Sequence, residues 1–201
     1  MKYEQHVIAV DMKNRFIGTV EKLEAHRRNM LHRAFSVFLF NEKGEMLLQQ
    51  RADTKYHSGG LWTNACCSHP ELGENCKSAS SKRVAEELGV VCSDLYYILS
   101  FYYQVCFQKD LFEHEIVTIL YGVISSTTKM NLNKSEVKAV RWISEDALRS
   151  DMQLNSSEYT YWFKRYIDIL GFSPRMLKSK GDICDPGKRK KRKSFYKQNS
   201  V

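Results

Sequence analysis

The sequence has few prolines, no long apolar run and no targeting pattern. Three prolines and ten glycines among 201 residues exclude a collagen-like or proline-rich chain. The longest apolar segments, 34–40 and 116–124, are much shorter than the roughly 20 residues that a membrane-spanning helix needs. The amino terminus has neither the apolar stretch of a signal peptide nor the arginine- and serine-rich pattern of a transit peptide. We therefore expect a globular, cytoplasmic chain without a transmembrane segment.

The six cysteines lack the spacing of a disulfide or zinc framework. None belongs to a CxxC pair, and two of them, Cys66 and Cys67, are adjacent. Because the sequence also lacks a secretory signal, this pattern favours reduced thiols in a cytosol.

Negative charge is missing from the end of the chain. The formal net charge is +8, and seven lysines and arginines follow Asp185 without one acidic residue, so the preceding sequence is nearly neutral. The end of the chain also lacks apolar periodicity and cannot bury enough surface to offset the entropy cost of ordering. We predict one folded domain over residues 1–172 and a flexible basic tail over residues 173–201.

The basic run at 188–193 can also be interpreted as a nucleic-acid-binding or nuclear-targeting segment. Such runs bind polyanions with a strong dependence on salt. This run, however, has no interleaved aromatic residues and follows the predicted domain. We therefore treat it as an accessory, suited to weak contact with polyanions or acidic membranes rather than to specific nucleic-acid recognition.

Short apolar segments separated by turn residues predict a mixed α+β chain. Residues 21–29 are polar and predict a helical turn or loop on the surface. A helix beginning at Asn75 or Ser78 should end at Leu88, where Gly89 is a stop signal. Further helices are predicted over 144–149 and 157–170, and strands over 4–10, 16–20, 31–41, 45–51, 61–67, 95–107, 116–125 and 141–143.

Residues 61–74 place a thiol, an imidazole and a carboxylate ahead of the helix that ends at Leu88. Two interpretations compete for this segment. Free cysteines are commonly small core residues, and we assign Cys66 to that role. The other interpretation is a reactive thiol, Cys67, beside a metal-binding imidazole, His69.

The same region resembles the Nudix box, GX5EX7REUXEEXGU, in which U is apolar. Glu74 is followed after seven residues by Lys-Arg-Val-Ala-Glu-Glu-Leu-Gly-Val at 82–90. In that family a loop, helix and loop present glutamates to divalent cations that hold a diphosphate. Here Ser68 stands at the first glycine, and Lys82 and Arg83 replace the Arg-Glu pair. The missing glutamate is central to Nudix hydrolysis.

Two further segments make the resemblance more specific. Thr-Asn-Ala-Cys-Cys-Ser-His-Pro at 63–70 and Leu-His-Arg-Ala-Phe-Ser-Val-Phe-Leu-Phe at 31–40 resemble type I isopentenyl-diphosphate isomerases. The resemblance covers about residues 6–170 and implies a Nudix fold. This fold is an α/β/α sandwich with a mixed sheet, the Nudix loop-helix-loop and a carboxyl-terminal helical lid.

The resemblance implies a metal site whose ligands are His26, His32, His69, Glu113 and Glu115. Three imidazoles and two carboxylates suit Mn²⁺, Zn²⁺ or Mg²⁺. Because strand side chains alternate, both carboxylates should lie on one face of a strand. His114, His6 and His57 are then expected to be structural.

The implied reaction interconverts isopentenyl and dimethylallyl diphosphate through a tertiary carbocation. It needs an acid and a base at two positions of a dry cavity, and the resemblance assigns these roles to Cys67 and Glu115, with Tyr103 beside Glu115. An aromatic face stabilises a carbocation through its quadrupole. Trp162 matches the family position for that role, and Trp62 is a weaker candidate.

The resemblance also implies how the diphosphate is bound. The matching positions are Lys22, Arg51, Lys55, Ser68 and Arg83. Glu87, with the backbone of Cys67, matches a second site for a substrate-linked Mg²⁺. Without the resemblance, each lysine among these positions would be interpreted as a solvated surface charge.

Two departures and one alternative accompany the resemblance. Tyr161 stands where many family members have proline, and the basic tail is not covered. The alternative function is a Nudix diphosphate hydrolase, against which Arg83 and Cys67 argue. The sequence does not distinguish a monomer from a homodimer.

Overall fold

The structure is a computed structural model that describes residues 5–108 and 111–171. Its strands are β1 (His6–Val10), β2 (Phe16–Glu21), β3 (His32–Phe40), β4 (Met46–Arg51), β5 (Trp62–Thr63), β6 (Cys66–Ser68), β7 (Tyr96–Gln108), β8 (Leu111–Val123) and β9 (Val137–Ile143). Its helices are α1 (Lys22–Arg27), α2 (Cys76–Leu88), α3 (Glu145–Leu154), a 3₁₀ turn (Ser156–Glu158) and α4 (Tyr161–Leu170). The predicted tail lies outside the described residues.

Strand β3 is the centre of the sheet. One edge pairs in parallel with β8 from His32, opposite Glu115, to Phe40, opposite Val123. The other edge pairs antiparallel with the short strand β6. Strand β7 adds to β8, β4 pairs with β5 and β9, and the hairpin of β1 and β2 adjoins the start of β3. Parallel and antiparallel pairs together confirm the predicted mixed sheet.

The two faces of β3 pack against two separate hydrophobic cores. Phe38 and Phe40 lie in one core with the buried side of α4. Phe35 and Val37 lie in the other core with the buried side of α2. The period of two in a strand produces this division, and the predicted α/β/α layering is confirmed.

The sequence misjudged several element boundaries. The predicted strand 61–67 is divided into β5 and β6, because the amide of Asn64 turns inward and donates to the carbonyl oxygens of Val37 and Cys66 at 3.0 Å. Strand β8 begins at Leu111, earlier than predicted, because its first residues alternate buried carboxylates with partly exposed residues. Helix α4 starts at Tyr161, where Thr160 caps it.

The prediction that residues 21–29 lie on the surface is wrong for the inward side of α1. Ala25 is fully buried and packs with Val7, Ala9 and Val20. The ring of His26 is also buried, with 1% of the residue exposed. Because most side chains of this helix are polar, the sequence did not indicate that it buries a histidine.

Helix α2 begins and ends as predicted. Asn75 caps it by accepting a hydrogen bond from the Ser78 N–H at 2.9 Å. Gly89 ends it with a φ of 67°, and its N–H donates to the Ala85 carbonyl. Glycine is the only residue that adopts this left-handed conformation at a low energetic cost.

Replacement of Gly89 by alanine is expected to lower the free energy of unfolding by about 1–3 kcal/mol. The added Cβ would lie 2.7 Å from the Asn131 carbonyl oxygen, in addition to the strain of the positive φ. Urea denaturation measures the loss. Gly73→Ala is the control, because Gly73 has a φ of 89° and no described atom lies within 4 Å of the added Cβ. Equal losses in the two variants would contradict the close approach to Asn131.

Two predictions about chain class can be compared with the described residues. Cys66, Cys67, Cys76 and Cys92 have free thiols, as predicted, and Cys184 lies outside the described residues. No helix in the described part of the chain is long and apolar enough to cross a membrane.

Candidate active site and metal centre

A cavity lies on the face of the sheet that α4 covers. Alternation along β3 places His32 and Ser36 on this face. Strand pairing then sets Glu115 of β8 opposite His32, and Cys67 of β6 opposite Ser36. All of the predicted site residues except His32 line the cavity, and His32 is fully buried behind them. Their roles stay predictions, but the fold brings them together from distant parts of the chain.

Three imidazoles and one carboxylate converge at one end of the cavity. The Nε2 atoms of His32 and His69 are 3.2 Å apart. Glu115 Oε1 lies 3.1 Å from His69 Nε2 and 3.5 Å from His32 Nε2. The His26 ring lies 5.2 Å from the His32 ring and 6.0 Å from the His69 ring. One potential ligand atom from each of the four residues lies within 4.8 Å of the others.

The hydrogen bonds of this cluster leave lone pairs facing inward. His32 Nδ1 lies 2.8 Å from the Met30 carbonyl oxygen, so this nitrogen donates and Nε2 keeps its lone pair. Among the described residues, none provides a hydrogen-bond partner for the buried Nε2 of His26. Several buried acceptors without intervening protons are costly unless a cation binds between them. The residues therefore fit a divalent metal ion.

Glu113 lies beside this cluster, joined to it by Tyr103. The Tyr103 hydroxyl donates to Glu113 Oε2, and its oxygen lies 3.2 Å from Glu115 Oε2. Burial, and next the charge of Glu115, raise the pKa of Glu113 to about 8. Burial would also raise the pKa of Glu115, but the adjacent imidazoles of His32 and His69 hold it well below its usual range. The two carboxyls therefore differ in protonation.

Cys67 lies farther along the same face of the sheet. Its Sγ lies 3.2 Å from Ser36 Oγ, and its thiol donates to Asn64 Oδ1 at 3.2 Å. Burial raises the pKa of this thiol to about 12, although both hydrogen bonds act in the opposite direction. The Cys67 thiol is therefore protonated at neutral pH. Cys66 points into the other core and is fully buried, as the sequence predicted.

Helix α4 covers the cavity with aromatic side chains. Trp162 is 3% exposed, and its Nε1 donates to Thr63 Oγ1 at 2.8 Å. This bond orients the indole ring, and the guanidinium of Arg51 lies 5.1 Å from the ring centroid. Trp62 instead packs against Arg141, at 4.3 Å, and is not among the residues that line the cavity. The geometry therefore favours Trp162 over Trp62 as the aromatic wall.

Cations form the opposite wall. Arg51 donates to the His57 carbonyl oxygen at 3.2 Å, and Lys55 lies 2.7 Å from Glu136. Burial, and next the charges of Lys55 and Arg83, lower the pKa of Lys22 to about 8. Such a repulsive group of cations attracts an anion.

Arg83 forms ion pairs with three carboxylates, one of which is the exposed Glu86 at 3.1 Å. Its guanidinium is 2.8 Å from Glu87 Oε1 and 3.1 Å from Glu136 Oε2. Glu87 also accepts from Gln49 Nε2 at 3.2 Å. Ser68 is buried at the rim of the cavity, near the amino-terminal half of α2. The helix that resembles the Nudix box thus faces the cavity with an arginine and a buried glutamate.

The sequence did not identify several residues that line the cavity. They are Ala34, Phe35, Ser36, Gln49, Tyr56, His57, Thr63, Glu136 and Tyr166. Glu136 precedes β9, and its ion pairs are with residues more than fifty positions earlier. His57, expected to be structural, has its Nε2 3.4 Å from Glu113 Oε1. No local motif distinguishes these residues.

The metal-free chain is expected to lose stability as the pH falls from about 6.5 to about 4. Burial lowers the pKa values of His69 to about 4, His57 to about 3 and His26 to about 2. As the pH falls, the unfolded chain therefore takes up protons that the folded chain does not, and the free energy of unfolding decreases. These three imidazoles outnumber the opposing carboxyls Glu113 and Glu87, whose pKa values burial raises.

Urea denaturation in the presence of EDTA at several pH values measures this effect. Constant or increasing stability from pH 7 to pH 5 would contradict the burial of neutral imidazoles. The same series with a divalent metal ion should show a higher stability near pH 7, because the ion binds the deprotonated ligands of the folded chain.

Comparisons with known proteins agree with this architecture. The NUDIX domain family matches residues 30–163. A solved protein from Deinococcus radiodurans has a TM-score of 0.61 at 18% identity, covering 75% of this chain and 90% of that chain. A Nudix hydrolase from M. smegmatis has a TM-score of 0.53 at 16% identity, covering 88% and 95%. At these identities the structures show the shared fold alone.

Sequence relatives are more similar. Isopentenyl-diphosphate Delta-isomerase from Burkholderia multivorans is 43% identical over 168 residues, which is 84% of this chain and 94% of the relative. The enzyme of the same name from Photobacterium profundum is 42% identical over 176 residues, 85% of this chain and 96% of the relative. The chain therefore belongs to the Nudix family, within the group formed by the isopentenyl-diphosphate Delta-isomerases.

Proposed function

We propose that this chain is an isomerase that interconverts isopentenyl diphosphate and dimethylallyl diphosphate in isoprenoid biosynthesis. One observation carries the proposal. A half-buried thiol, Cys67, and a buried carboxylate, Glu115, line the same cavity, and their pKa values are shifted in opposite directions. The two groups then hold one exchangeable proton between them. An isomerisation that adds a proton to one carbon and removes one from another requires this state.

The total number of protons on Cys67 and Glu115 is the same before and after one turnover. One group donates a proton to the alkene, the tertiary carbocation forms, and the other group removes a proton from the carbon on the opposite side of the cationic centre. The roles of Cys67 and Glu115 exchange in the reverse direction. The Tyr103 hydroxyl lies 3.2 Å from Glu115 Oε2 and orients this carboxyl.

The carbocation needs stabilisation without a nucleophile that would trap it. The Trp162 ring supplies an aromatic face, and this attraction is worth roughly 2 kcal/mol or more in a desolvated site. Ser36 Oγ donates to the Tyr166 hydroxyl oxygen at 2.9 Å, so this oxygen is engaged rather than free to attack. Burial raises the pKa of Tyr166 well above its usual range, which keeps the phenol neutral.

Metal ions take part at two places in the proposal. His26, His32, His69, Glu113 and Glu115 would hold Mn²⁺, Zn²⁺ or Mg²⁺, and Glu87 with the Cys67 backbone would hold a Mg²⁺ that accompanies the diphosphate. Such an ion supplies charge stabilisation and lowers the pKa of the groups it binds. Lys22, Arg51, Lys55, Ser68 and Arg83 would bind the diphosphate itself. The expected ligand is therefore a small-molecule diphosphate.

The hydrolase alternative has less support. Hydrolysis by a Nudix enzyme relies on a glutamate at the position that Arg83 occupies here. Arg83 forms ion pairs with Glu87 and Glu136 instead of presenting a carboxylate. A cytoplasmic location is proposed with the function, supported by the free thiols of the described residues.

One assay tests the proposal. Purified protein is incubated with isopentenyl diphosphate and Mg²⁺ in heavy water, and carbon, phosphorus and deuterium are followed by NMR. We expect dimethylallyl diphosphate to form and deuterium to enter both isomers, with the diphosphate intact. Release of inorganic phosphate or a monophosphate without isomerisation would overturn the proposal in favour of hydrolysis.

A further inference from the structure

The loop between β4 and β5 directs two neighbouring side chains into the cavity. The loop folds back tightly, since a Cβ on Gly59 would lie 2.6 Å from the Asp53 carbonyl oxygen. The Arg51 guanidinium donates to the His57 carbonyl oxygen at 3.2 Å and holds the loop from within. The side chains of Tyr56 and His57 both line the cavity as a result.

Tyr56 contacts one of the candidate metal ligands. Its hydroxyl oxygen lies 3.2 Å from Nδ1 of His26. When the hydroxyl accepts the Nδ1 proton, the lone pair stays on Nε2, the buried atom without a described partner. In this tautomer the contact orients the His26 ring so that Nε2 is able to bind a cation together with His32 and His69.

His57 contacts a second candidate ligand on the other side of the cluster. Its Nε2 lies 3.4 Å from Glu113 Oε1, while Tyr103 occupies the other carboxyl oxygen. The imidazole is held in place by stacking on Phe107, with ring centroids 4.8 Å apart, and by an edge contact with Trp162 at 5.6 Å. The Ser58 hydroxyl lies 3.3 Å from Nδ1, which leaves Nε2–H to face Glu113.

We infer that Tyr56 and His57 are positioning residues for the divalent metal ion. Two consecutive residues of one loop each hold a different ligand, His26 by its tautomer and Glu113 by its orientation. This inference rests on the metal site of the proposed function. Partners of metal ligands commonly contribute 10- to 100-fold to metal affinity. Lys55 belongs to the same loop, so a bound diphosphate would restrict the loop and strengthen both contacts.

Metal binding to the diphosphate-free protein tests the inference directly. The metal-free chain is titrated with Co²⁺, and affinity is measured by calorimetry while visible absorption reports the coordination of the ion. The variants are Tyr56→Phe, which removes one hydroxyl, His57→Ala, and His57→Gln, whose side-chain amide retains a donor toward Glu113. Thr54→Ala is the control, because Thr54 is exposed on the same loop and does not line the cavity.

We expect Tyr56→Phe and His57→Ala to weaken Co²⁺ binding by about tenfold or more and to change the absorption spectrum. His57→Gln should recover much of the affinity, and Thr54→Ala should match the original protein. Circular dichroism of the metal-free variants checks that they fold. Unchanged affinity and spectrum in folded Tyr56→Phe and His57→Ala would overturn the inference, because the contacts would then be packing alone.

Two outcomes separate this inference from the proposed function. If the original protein binds no Co²⁺, the positioning role fails even if the chain isomerises isopentenyl diphosphate. If the variants lose Co²⁺ affinity but the original protein forms no dimethylallyl diphosphate, the positioning role holds and the proposed function fails.

Discussion

Replacement of Cys67 by alanine is expected to reduce the rate of isomerisation by about 10³-fold or more. The thiol is one of two groups that exchange protons with the substrate in the proposed reaction, and alanine has no proton to donate or accept. Burial holds the thiol pKa at about 12, so the lost group is a neutral thiol rather than a thiolate. The measurement is the turnover number from the NMR assay in heavy water.

Binding should survive the same substitution. The Cys67 side chain contacts Ser36 and Asn64, whereas the cations that bind the diphosphate come from other elements. The dissociation constant for isopentenyl diphosphate, measured by calorimetry with the inactive variant, should therefore stay within about threefold of that for the original protein, a change of under 1 kcal/mol. A large loss of binding would indicate collapse of the cavity rather than loss of proton transfer.

Cys66→Ala is the matched control for this substitution. It removes the same atoms from the adjacent residue, but Cys66 is fully buried in the core beneath α2. A small loss of stability from the cavity left behind is expected, with turnover retained. Comparable losses of turnover in the two variants, or substantial turnover by Cys67→Ala, would contradict the proposed role of Cys67 in proton transfer.

Replacement of Glu115 by glutamine should reduce turnover by about 10³-fold or more, because it removes the proposed proton-transfer group and one proposed metal ligand. The amide has nearly the same shape as the carboxylate but carries no charge. The substitution therefore removes the negative charge beside the imidazoles of His32 and His69. Turnover and Co²⁺ affinity are measured on the same preparation.

His114, the neighbour of Glu115 on β8, provides a control for this substitution. His114 points away from Glu115, and its Nδ1 lies 2.8 Å from the Asn29 carbonyl oxygen. His114→Gln is expected to retain turnover, at a cost in stability of about 1 kcal/mol from the altered hydrogen bond. If Glu115→Gln kept more than a tenth of the original turnover, Glu115 would not be the acid or base.

Much of the fold followed from local patterns. Asn75 and Gly89 delimit α2 because capping and left-handed conformations depend on residues next to the helix end. Alternation along β8 predicted that Glu113 and Glu115 share a face and that His114 points away, and the structure confirms both. Two boundaries were predicted wrongly. Asn64 interrupts the strand because its side chain donates to the backbone of the distant strand β3, and Leu111 begins β8 by pairing with Gln108 across a short hairpin.

Part of the candidate site could also be predicted from the sequence. The types and order of the predicted ligands came from resemblance to a family, and the fold brings those residues to one cavity. Tyr56, His57 and Glu136 were missed because each contacts a residue thirty or more positions away, without a local motif. Their partners become apparent only when the loop after β4 packs against α1, β8 and the segment before β9.

The sequence by itself determined the layering of the fold, the family, and which side chains are proposed to carry the chemistry. These properties depend on side-chain type and on spacing along the chain, which are printed in the sequence. The tertiary structure alone decided which groups are buried and which atoms face one another. Burial keeps the proton on Cys67, and contacts with His32 and His69 remove it from Glu115. Protonation is set by solvent exclusion and by charges from distant segments, so it is determined only once the chain has folded.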